Sequence, residues 1–268
     1  MTELGCALVT GAGRGIGRAI ALRLADDGWA VAACDRDSAV EATARAIEQE
    51  GGRALALRWD VTDAEAAAAA HTRAAEELGP LGAVVANAAI VDHIARAERV
   101  APAAWRHELD VNLTGAFLTV QPALAGMRER RRGRVVAISS GAATGGLRGQ
   151  VSYAAAKAGL LGMVRTLALE LAPAGVTVNA VLPGMVDTEN VRAMPEEVRR
   201  RALSRVPFGR FAACEEIAAV VAFLCSADAS YLTGASINVD GAMGLNDLTL
   251  GREDPDRGQA APGSSGSP

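Results

Sequence analysis

Short apolar runs alternate with longer Ala- and Leu-rich segments along this chain. Runs such as Val135–Ile138 are rich in β-branched residues and too short for a helix, which is typical of strands buried within a parallel sheet. Segments such as Ala39–Gln49 and Tyr153–Leu171 contain no Pro and have a helical composition. This alternation predicts an α/β domain in which helices pack on a parallel sheet. The other runs predicted as strands are Cys6–Thr10, Ala30–Cys34, Arg53–Trp59, Leu81–Ala86 and Val176–Leu182.

The first apolar run leads directly into a glycine-rich turn, in which Gly11, Arg14 and Gly15 precede a helical pattern. Such a turn between a strand and a helix lets the backbone approach a pyrophosphate, whose charge is favoured by the free N–H groups and the dipole at the helix N-terminus. The second strand ends at Asp35, roughly twenty residues after the turn, where a carboxylate can accept hydrogen bonds from an adenosine ribose. The pattern predicts a dinucleotide site.

Ser140, Tyr153 and Lys157 lie where a buried strand ends and the next long helix begins. Tyr153 and Lys157 are four residues apart and therefore share one face of that helix. A tyrosine hydroxyl has a pKa of about 10 in water, and an ammonium group one turn away is expected to lower that pKa. Ser140 could hydrogen-bond a substrate oxygen from the other side. The three groups suit proton transfer to or from an alcohol or carbonyl oxygen.

Together, Thr10-Gly11-x-x-x-Gly15-x-Gly17, Ser140 and Tyr153-x-x-x-Lys157 resemble the motifs of the short-chain dehydrogenase/reductase family, single-domain type. The resemblance implies a Rossmann-like, doubly wound, seven-stranded and mainly parallel sheet with helices on both faces. It covers residues 1–244, which we expect to form one NAD(P)-binding catalytic domain. The remaining segment, 245–268, is rich in Gly, Pro, Ser and charge, and we predict that it is disordered.

The resemblance also implies an activity, the transfer of hydride between a nicotinamide and a secondary alcohol or ketone. In that family a residue at the position of Tyr153 exchanges a proton with the substrate oxygen. The counterpart of Lys157 lowers the pKa of that tyrosine and bonds the nicotinamide ribose, and the counterpart of Ser140 orients the oxygen. Asn112, in Asp110-Val-Asn-Leu-Thr-Gly, matches an asparagine that holds a water in a proton relay.

Further cofactor contacts follow from the same resemblance. Ile16 and Gly17 are expected near the nicotinamide half, Asp60 and Val61 beside the adenine, and Asn87 between the central strand and the adenosine pocket. The turn that begins at Pro183 is expected to pass the nicotinamide ring, with Thr188 bonding its carboxamide. The residues implied in this way are Ile16, Gly17, Asp60, Val61, Asn87, Pro183, Gly184, Val186 and Thr188, together with Tyr153 and Lys157. One departure from the family is Ala89, where a Gly is usual and where positive φ would be costly.

The choice between the two dinucleotides depends on residues at the end of the second strand. Asp35 would repel the phosphate on the ribose of NADP, which favours NAD. Arg14 and Arg36 stand where NADP-using members of the family have basic residues, so NADP remains possible.

Two alternative functions stay open. An NADPH-dependent 3-oxoacyl-[acyl-carrier-protein] reductase is suggested by the basic run from Arg128 to Arg134, which could meet an acidic carrier protein, although a solvated helix end is the simpler interpretation. A non-catalytic dinucleotide sensor would not need to keep Asn112, Ser140, Tyr153 and Lys157, and this chain keeps all four.

The composition of the chain limits the size of its core and the kinds of partner and ligand that we expect. The chain has 268 residues, half of them apolar, which is enough for the core of one α/β domain. A net charge of −4 gives no reason to expect nucleic acid or an anionic membrane as a partner. The four cysteines and three histidines show no ligand spacing, so we expect no metal, and His71 is expected on an exposed helix face. The expected protein is cytoplasmic, with no membrane span, and by resemblance a homotetramer that acts on a small alcohol or ketone.

Overall fold

The computed structural model describes residues 5–245, and their strands form one sheet. The strand order is β3-β2-β1-β4-β5-β6-β7, and every neighbouring pair is parallel. The predicted seven-stranded, doubly wound sheet is therefore confirmed, with all seven strands parallel. The strands are β1 (Cys6–Thr10), β2 (Ala30–Asp35), β3 (Ala54–Arg58), β4 (Leu81–Ala86), β5 (Gly133–Ile138), β6 (Val176–Pro183) and β7 (Ser236–Val239).

Helices cover both faces of this sheet. They are α1 (Gly15–Asp26), α2 (Ala39–Gln49), α3 (Ala64–Leu78), α4 (Pro102–Leu109), α5 (Gly115–Glu129), α6 (Ala142–Gly145), α7 (Val151–Leu171), α8 (Glu189–Arg192), α9 (Glu196–Leu203) and α10 (Cys214–Cys225), with 3₁₀ turns at Ala97–Arg99 and Ala172–Ala174. No helix within residues 5–245 is both long and apolar enough to cross a membrane. The segment 246–268, predicted to be disordered, lies outside the described residues.

Each face of the central strands packs into its own hydrophobic cluster. On β1, Cys6 and Leu8 belong to the cluster under α3, α5 and α7, whereas Ala7 and Val9 belong to the cluster under α1 and α10. All four residues are buried. Burial on both faces explains why the central strands are continuous apolar runs without the alternation of a half-exposed strand.

The strand order reverses between β1 and β4, and this reversal determines where a ligand can bind. The chain runs from β1 outward to β3 and then returns to the other side of β1 at β4. The connections that follow β1 and β4 therefore leave in opposite directions, and a crevice opens outside the carboxyl ends of these strands.

The chain between Trp105 and Leu118 does not form a single regular helix. Helix α4 ends at Leu109, a π-helical turn covers Asp110–Thr114, and α5 then begins. In a π-helical turn each hydrogen bond spans one more residue than in an α-helix, and such turns are frequent at functional sites. Here it contains Asn112.

The expectation that His71 is exposed was wrong. His71 is 5% exposed, and its Nδ1 lies 2.8 Å from the carbonyl oxygen of Ala67, one turn earlier in α3. Its ring centroid is 6.2 Å from that of Trp59. Burial lowers the pKa of His71. The sequence of α3 does not indicate which face is buried, because its many alanines are compatible with either side of a helix.

We predict that Gly17→Ala destabilises the protein by about 1–3 kcal/mol, because a side chain there has no room. A Cβ on Gly17 would lie 2.1 Å from the carbonyl oxygen of Gly11 and 2.5 Å from Nδ2 of Asn87. Chemical denaturation of both proteins measures the difference. Gly162→Ala is the matched control: this exposed site in α7 has nothing within 4 Å, so the same change should be neutral or stabilise by about 0.5–1 kcal/mol. Equal effects of the two substitutions would contradict the close approach of α1 to β1.

Candidate active site

A cavity of about 710 Å³ opens at the carboxyl ends of the strands, at the reversal of strand order. Every residue that the sequence analysis assigned to the cofactor lines this cavity: Gly11, Arg14, Gly15, Ile16, Gly17, Asp35, Asp60, Val61, Asn87, Tyr153, Lys157, Pro183, Gly184, Val186 and Thr188. Ser140 also lines it, whereas Asn112 lies behind the wall. A smaller cavity of about 290 Å³ beside Phe208 contains none of these residues.

Hydrogen bonds connect the ends of β1 and β4 beneath the cavity. The Thr10 hydroxyl accepts hydrogen bonds from the backbone N–H groups of Asn87 and Ala88, at 3.1 and 3.2 Å. The Asn87 side chain donates in return to the carbonyl oxygen of Thr10, at 2.8 Å. Ala89, where the family has Gly, does not take the left-handed backbone conformation, so this departure leaves the strand end undistorted.

The glycine-rich turn presents free backbone donors to the cavity. Gly11 and Gly15 have φ values of +66° and +54°, which favour glycine. No side chain caps the N-terminus of α1, so its first N–H groups have no side-chain acceptor. Free N–H groups together with the positive end of the helix dipole form a site for a phosphate group.

Asp35 is fixed at the end of β2 by two backbone groups. Its Oδ2 accepts a hydrogen bond from Gly13 N at 3.0 Å, and its Oδ1 accepts one from Asp37 N at 3.1 Å. The carboxylate therefore stays beside the glycine-rich turn. Arg14 and Arg36 line the same end of the cavity with exposed side chains.

Asp60 and its neighbours form the wall beyond β3. Oδ1 of Asp60 accepts hydrogen bonds from the N–H and the hydroxyl of Thr62, at 2.9 and 2.7 Å, which lower the pKa of Asp60. Trp59, which the sequence analysis did not single out, also lines the cavity with its buried ring. Asp63 caps the N-terminus of α3, since its Oδ1 accepts from Glu65 N and Ala66 N, each at 3.0 Å.

Lys157 lies beneath Tyr153 and is bound to the end of β5. Its Nζ donates a hydrogen bond to the carbonyl oxygen of Ile138 at 2.8 Å and lies 5.7 Å from the centroid of the Tyr153 ring. The lysine is 2% exposed, and burial lowers its pKa to about 8. The Ser139 hydroxyl donates to the carbonyl oxygen of Lys157 at 2.8 Å, which fixes this turn of α7 against the sheet.

The acidity of Tyr153 differs from the sequence-based expectation. Burial raises the pKa of Tyr153 above its ordinary value; the Ser140 hydroxyl lowers that pKa, and the Glu108 carboxylate raises it further. Burial therefore outweighs the acidifying effect expected from a neighbouring cation. Ser140 Oγ accepts a hydrogen bond from Ala142 N at 3.1 Å, which leaves its hydrogen free to donate to another oxygen.

Asn112 contacts the segment that follows β4. Its Oδ1 accepts from Ile90 N at 2.8 Å, and its Nδ2 donates to Ile90 O at 2.9 Å. The side chain is fully buried, and this pair of bonds employs both of its polar atoms. The side chain therefore positions the segment after β4, and the proton relay through Asn112 stays a prediction.

The turn after β6 approaches the sheet so closely that it requires glycine. A Cβ on Gly184 would lie 2.8 Å from the Cα of Asp240. Pro183 O accepts from Gly141 N at 3.1 Å, which holds the turn beside the Ser140 loop. The Thr188 hydroxyl caps α8 by accepting from Val191 N at 3.4 Å, so its own hydrogen can still be donated into the cavity.

Many of the lining residues that were not assigned to the cofactor are apolar, and sequence reasoning missed those that residues 90–95 contribute. Residues 90–95 have no regular secondary structure and gave no periodic signal. Among the described residues lining the cavity, the cations are Arg14, Arg36 and Lys157. The apolar lining residues include Ile90, Val91, Ile94, Leu147, Met185 and Met194.

The basic run lies away from the cavity. It closes α5 and leads into β5, at the amino edge of the sheet, whereas the cavity is at the carboxyl edge. Arg130 donates to Leu81 O at 2.7 Å, Arg131 to Pro173 O at 2.9 Å and Arg134 to Ser226 O at 3.2 Å. These arginines satisfy carbonyl groups at strand and helix ends. No group of three His, Cys, Asp or Glu side chains within residues 5–245 is arranged to hold a metal ion.

Known proteins of similar sequence are reductases and dehydrogenases. Residues 11–244 match the sequence model of a family described as enoyl-(acyl carrier protein) reductase. The chain is 43% identical to an acetoacetyl-CoA reductase of Rhizobium meliloti (strain 1021), over 88% of this chain and 97% of that protein. It is also 43% identical to a cis-4-hydroxycyclohexanecarboxylate dehydrogenase of Sinomonas cyclohexanicum, over 88% of this chain and 94% of that protein.

Two further relatives extend the comparison. The 3-oxoacyl-[acyl-carrier-protein] reductase MabA of Mycobacterium tuberculosis (strain ATCC 25618 / H37Rv) is 41% identical over 89% of this chain and 92% of that protein. The crystal structure of a levodione reductase superposes with a TM-score of 0.86 at 33% identity, covering 91% of this chain and 99% of that one. The chain belongs to the short-chain dehydrogenase/reductase family of oxidoreductases.

Proposed function

We propose that the protein transfers hydride between NAD and a secondary alcohol or ketone whose body is uncharged and mostly apolar. The observation that carries this proposal is the common cavity of the glycine-rich turn, Asp35 and the group of Ser140, Tyr153 and Lys157. The nicotinamide would supply or accept the hydride. The uncapped N-terminus of α1 supports a diphosphate at the turn, and the apolar lining residues support an uncharged substrate.

In this proposal the side chains move and hold a proton. Tyr153 gives its proton to the carbonyl oxygen in reduction and takes it back in alcohol oxidation. Ser140 donates its free hydrogen to the same oxygen and holds it beside the tyrosine. Lys157, charged and anchored on Ile138 O, stabilises the tyrosinate and bonds the nicotinamide ribose. Asn112 supports the relay by fixing the wall next to it.

The fixed position of Asp35 supports NAD as the preferred cofactor. Since Gly13 N and Asp37 N hold both carboxylate oxygens, Asp35 cannot turn away from a phosphate on the adenosine ribose. The attraction between that phosphate and an exposed arginine such as Arg14 or Arg36 is weaker than the repulsion by Asp35, because water screens the charge of the arginine.

An acyl-thioester reductase is the second candidate, favoured by the similarity to acetoacetyl-CoA reductase and MabA. The basic run does not support it, because those arginines lie at the opposite edge of the sheet and bond backbone carbonyl groups. A dinucleotide sensor without activity is disfavoured by the retained proton-transfer groups.

We also propose the bounds of the catalytic domain, the location of the protein and its oligomeric state. We take residues 1–244 as the catalytic domain, and a cytoplasmic homotetramer as the working form of the protein. Exposed apolar side chains on the outer helices support self-association: Leu169 on α7 is 80% exposed, Phe223 on α10 45% and Phe117 on α5 39%.

Tyr153→Phe should lower kcat by about 10²–10⁴-fold, because it removes the proton that the substrate oxygen exchanges. Affinity for NADH, measured by fluorescence titration, should change little. The chain has two tyrosines, and the other, Tyr231, is fully exposed, so Tyr231→Phe is the matched control and should retain wild-type turnover. Substantial activity of the Tyr153 variant would rule out this proton donor.

Asp35→Asn should raise the ratio of kcat/KM for NADPH to kcat/KM for NADH at least about tenfold, equivalent to about 1.4 kcal/mol, because it removes a negative charge beside the ribose. Steady-state kinetics with both cofactors measures this ratio. Asp37→Asn, an exposed neighbour, is the control and should leave the ratio unchanged. An unchanged ratio in the Asp35 variant would show that another group selects the cofactor.

The substrate class is tested by assaying the wild-type protein with NADH and NADPH against cyclic ketones, aryl ketones and a 3-oxoacyl thioester. We expect turnover of ketones with NADH and slow or absent turnover of the thioester. Thioester reduction with a strong preference for NADPH would support the second candidate instead.

A further inference from the structure

A buried carboxylate next to the active site neither gives nor takes the proton in the proposed function. Glu108 is the one buried residue of α4 and is 0% exposed. Burying a carboxylate is costly unless hydrogen bonds replace its water. The hydrogen-bond partners of Glu108 therefore indicate which parts of the structure this buried carboxylate holds together.

The two oxygens of Glu108 bind two different parts of the cavity wall. Oε1 accepts hydrogen bonds from the backbone N–H groups of Asp92 and His93, at 3.0 and 3.4 Å. Oε2 accepts a hydrogen bond from the hydroxyl of Ser152. Ser152 is buried in the first turn of α7 and immediately precedes Tyr153. One side chain thus joins the segment after β4 to the helix that presents the proton donor.

Glu108 acts beside Asn112, which lies four residues further along the chain. Asn112 holds Ile90 through both of its polar atoms, and Glu108 holds the backbone two to three residues later. A third bond, from Ala95 N to Gly149 O at 2.9 Å, connects the same segment to the loop before α7. The segment 90–95 has no regular structure of its own, so these bonds determine its course.

We propose that Glu108 is a positioning residue that fixes the apolar wall formed by residues 90–95 relative to Tyr153, and so determines where the carbon skeleton of the substrate lies. Ile90, Val91 and Ile94 present this wall to the cavity. The inference rests on the proposed function, because it takes Tyr153 as the group that meets the substrate oxygen.

The charge of Glu108 has a second consequence. Its carboxylate raises the pKa of Tyr153, in addition to the larger effect of burial. The other groups around Tyr153 are Lys157 on the same helix and Ser140 on the loop after β5. Around Glu108, Asp92 and His93 lie on the adjoining segment, and His107, on the same helix, has its Nε2 3.8 Å from Oδ2 of Asp92. Glu108 therefore favours the protonated tyrosine, which is the form that reduces a ketone.

Two substitutions separate position from charge. Glu108→Leu removes all three hydrogen bonds, whereas Glu108→Gln keeps the length of the side chain and an oxygen for the backbone donors, and its amide can donate to Ser152. Glu98→Gln is the matched control, because this glutamate lies in the exposed turn that follows the same segment.

Glu108→Leu should lower kcat/KM for a ketone by about tenfold to a hundredfold, mainly through a higher KM. The dissociation constant of NADH, from fluorescence titration, should stay within about twofold of wild type, since no hydrogen-bond partner of Glu108 is a residue assigned to the cofactor. Glu108→Gln should restore KM. Unchanged kinetics of the leucine variant, or equal losses of ketone and NADH binding, would overturn the proposal.

The pH dependence of kcat/KM tests the charge of Glu108, because a residue with a merely structural role would not shift it. Removing a negative charge lowers the pKa of Tyr153, so the tyrosinate needed for alcohol oxidation forms at lower pH. The rising limb of kcat/KM for oxidation should therefore move to lower pH in Glu108→Gln and stay in place in Glu98→Gln. A limb that does not move would show that the charge of Glu108 has no effect on the tyrosine.

Hydrogen exchange tests the same inference without turnover. The amide hydrogens of Asp92 and His93 should exchange faster in Glu108→Leu, with the rest of the protein unchanged.

If the leucine variant fails to fold, Ser152→Ala removes only the bond to α7 and should still raise KM. If the wild-type protein reduces no ketone, the proposed function fails, and the exchange rates alone decide whether Glu108 holds the segment; unchanged rates would overturn the inference.

Discussion

The hydrogen bonds between the ends of β1 and β4 are the constraint on which the rest of the site depends. Thr10 and Asn87 close the gap at the point where the strand order reverses. On one side of this junction lie the glycine-rich turn and Asp35, and on the other lie the segment after β4 and the proton-transfer groups. If the two strands separated here, the phosphate-binding turn and Tyr153 would no longer face a common cavity.

The chemistry of the site follows from burial at this edge of the sheet. Lys157 loses almost all contact with water, which lowers its pKa. Its Nζ still donates a hydrogen bond to one carbonyl oxygen, that of Ile138. Tyr153 is held in its protonated form by the same scarcity of water and by Glu108. In the proposed function, a positively charged nicotinamide beside these groups would favour the tyrosinate.

The sequence predicted those parts of the fold and site that depend on neighbouring residues. The apolar runs, the turn between β1 and α1, and the pair of Tyr153 and Lys157 each involve residues that are close together in the sequence. Features that depend on distant contacts were missed or wrong. The burial of His71 depends on which side of an alanine-rich helix meets the sheet, and the wall at residues 90–95 follows no periodic pattern. The role of Glu108 requires three segments to meet, and a single glutamate in a helix gives no sign of this.

The π-helical turn between α4 and α5 also limits how this part of the chain can vary in length. Each residue added to or removed from a helix rotates everything beyond it by about 100°. Helix α5 is fixed against the sheet by its buried face, so such a change would turn Glu108 away from the segment after β4. Insertions and deletions between Glu108 and the buried face of α5 would thus disconnect residues 90–95 from the turn of α7 that carries Tyr153, although half of α4 is exposed to solvent. Helix α9 contains no buried residue, so a change in its length would not rotate a buried face away from its contacts.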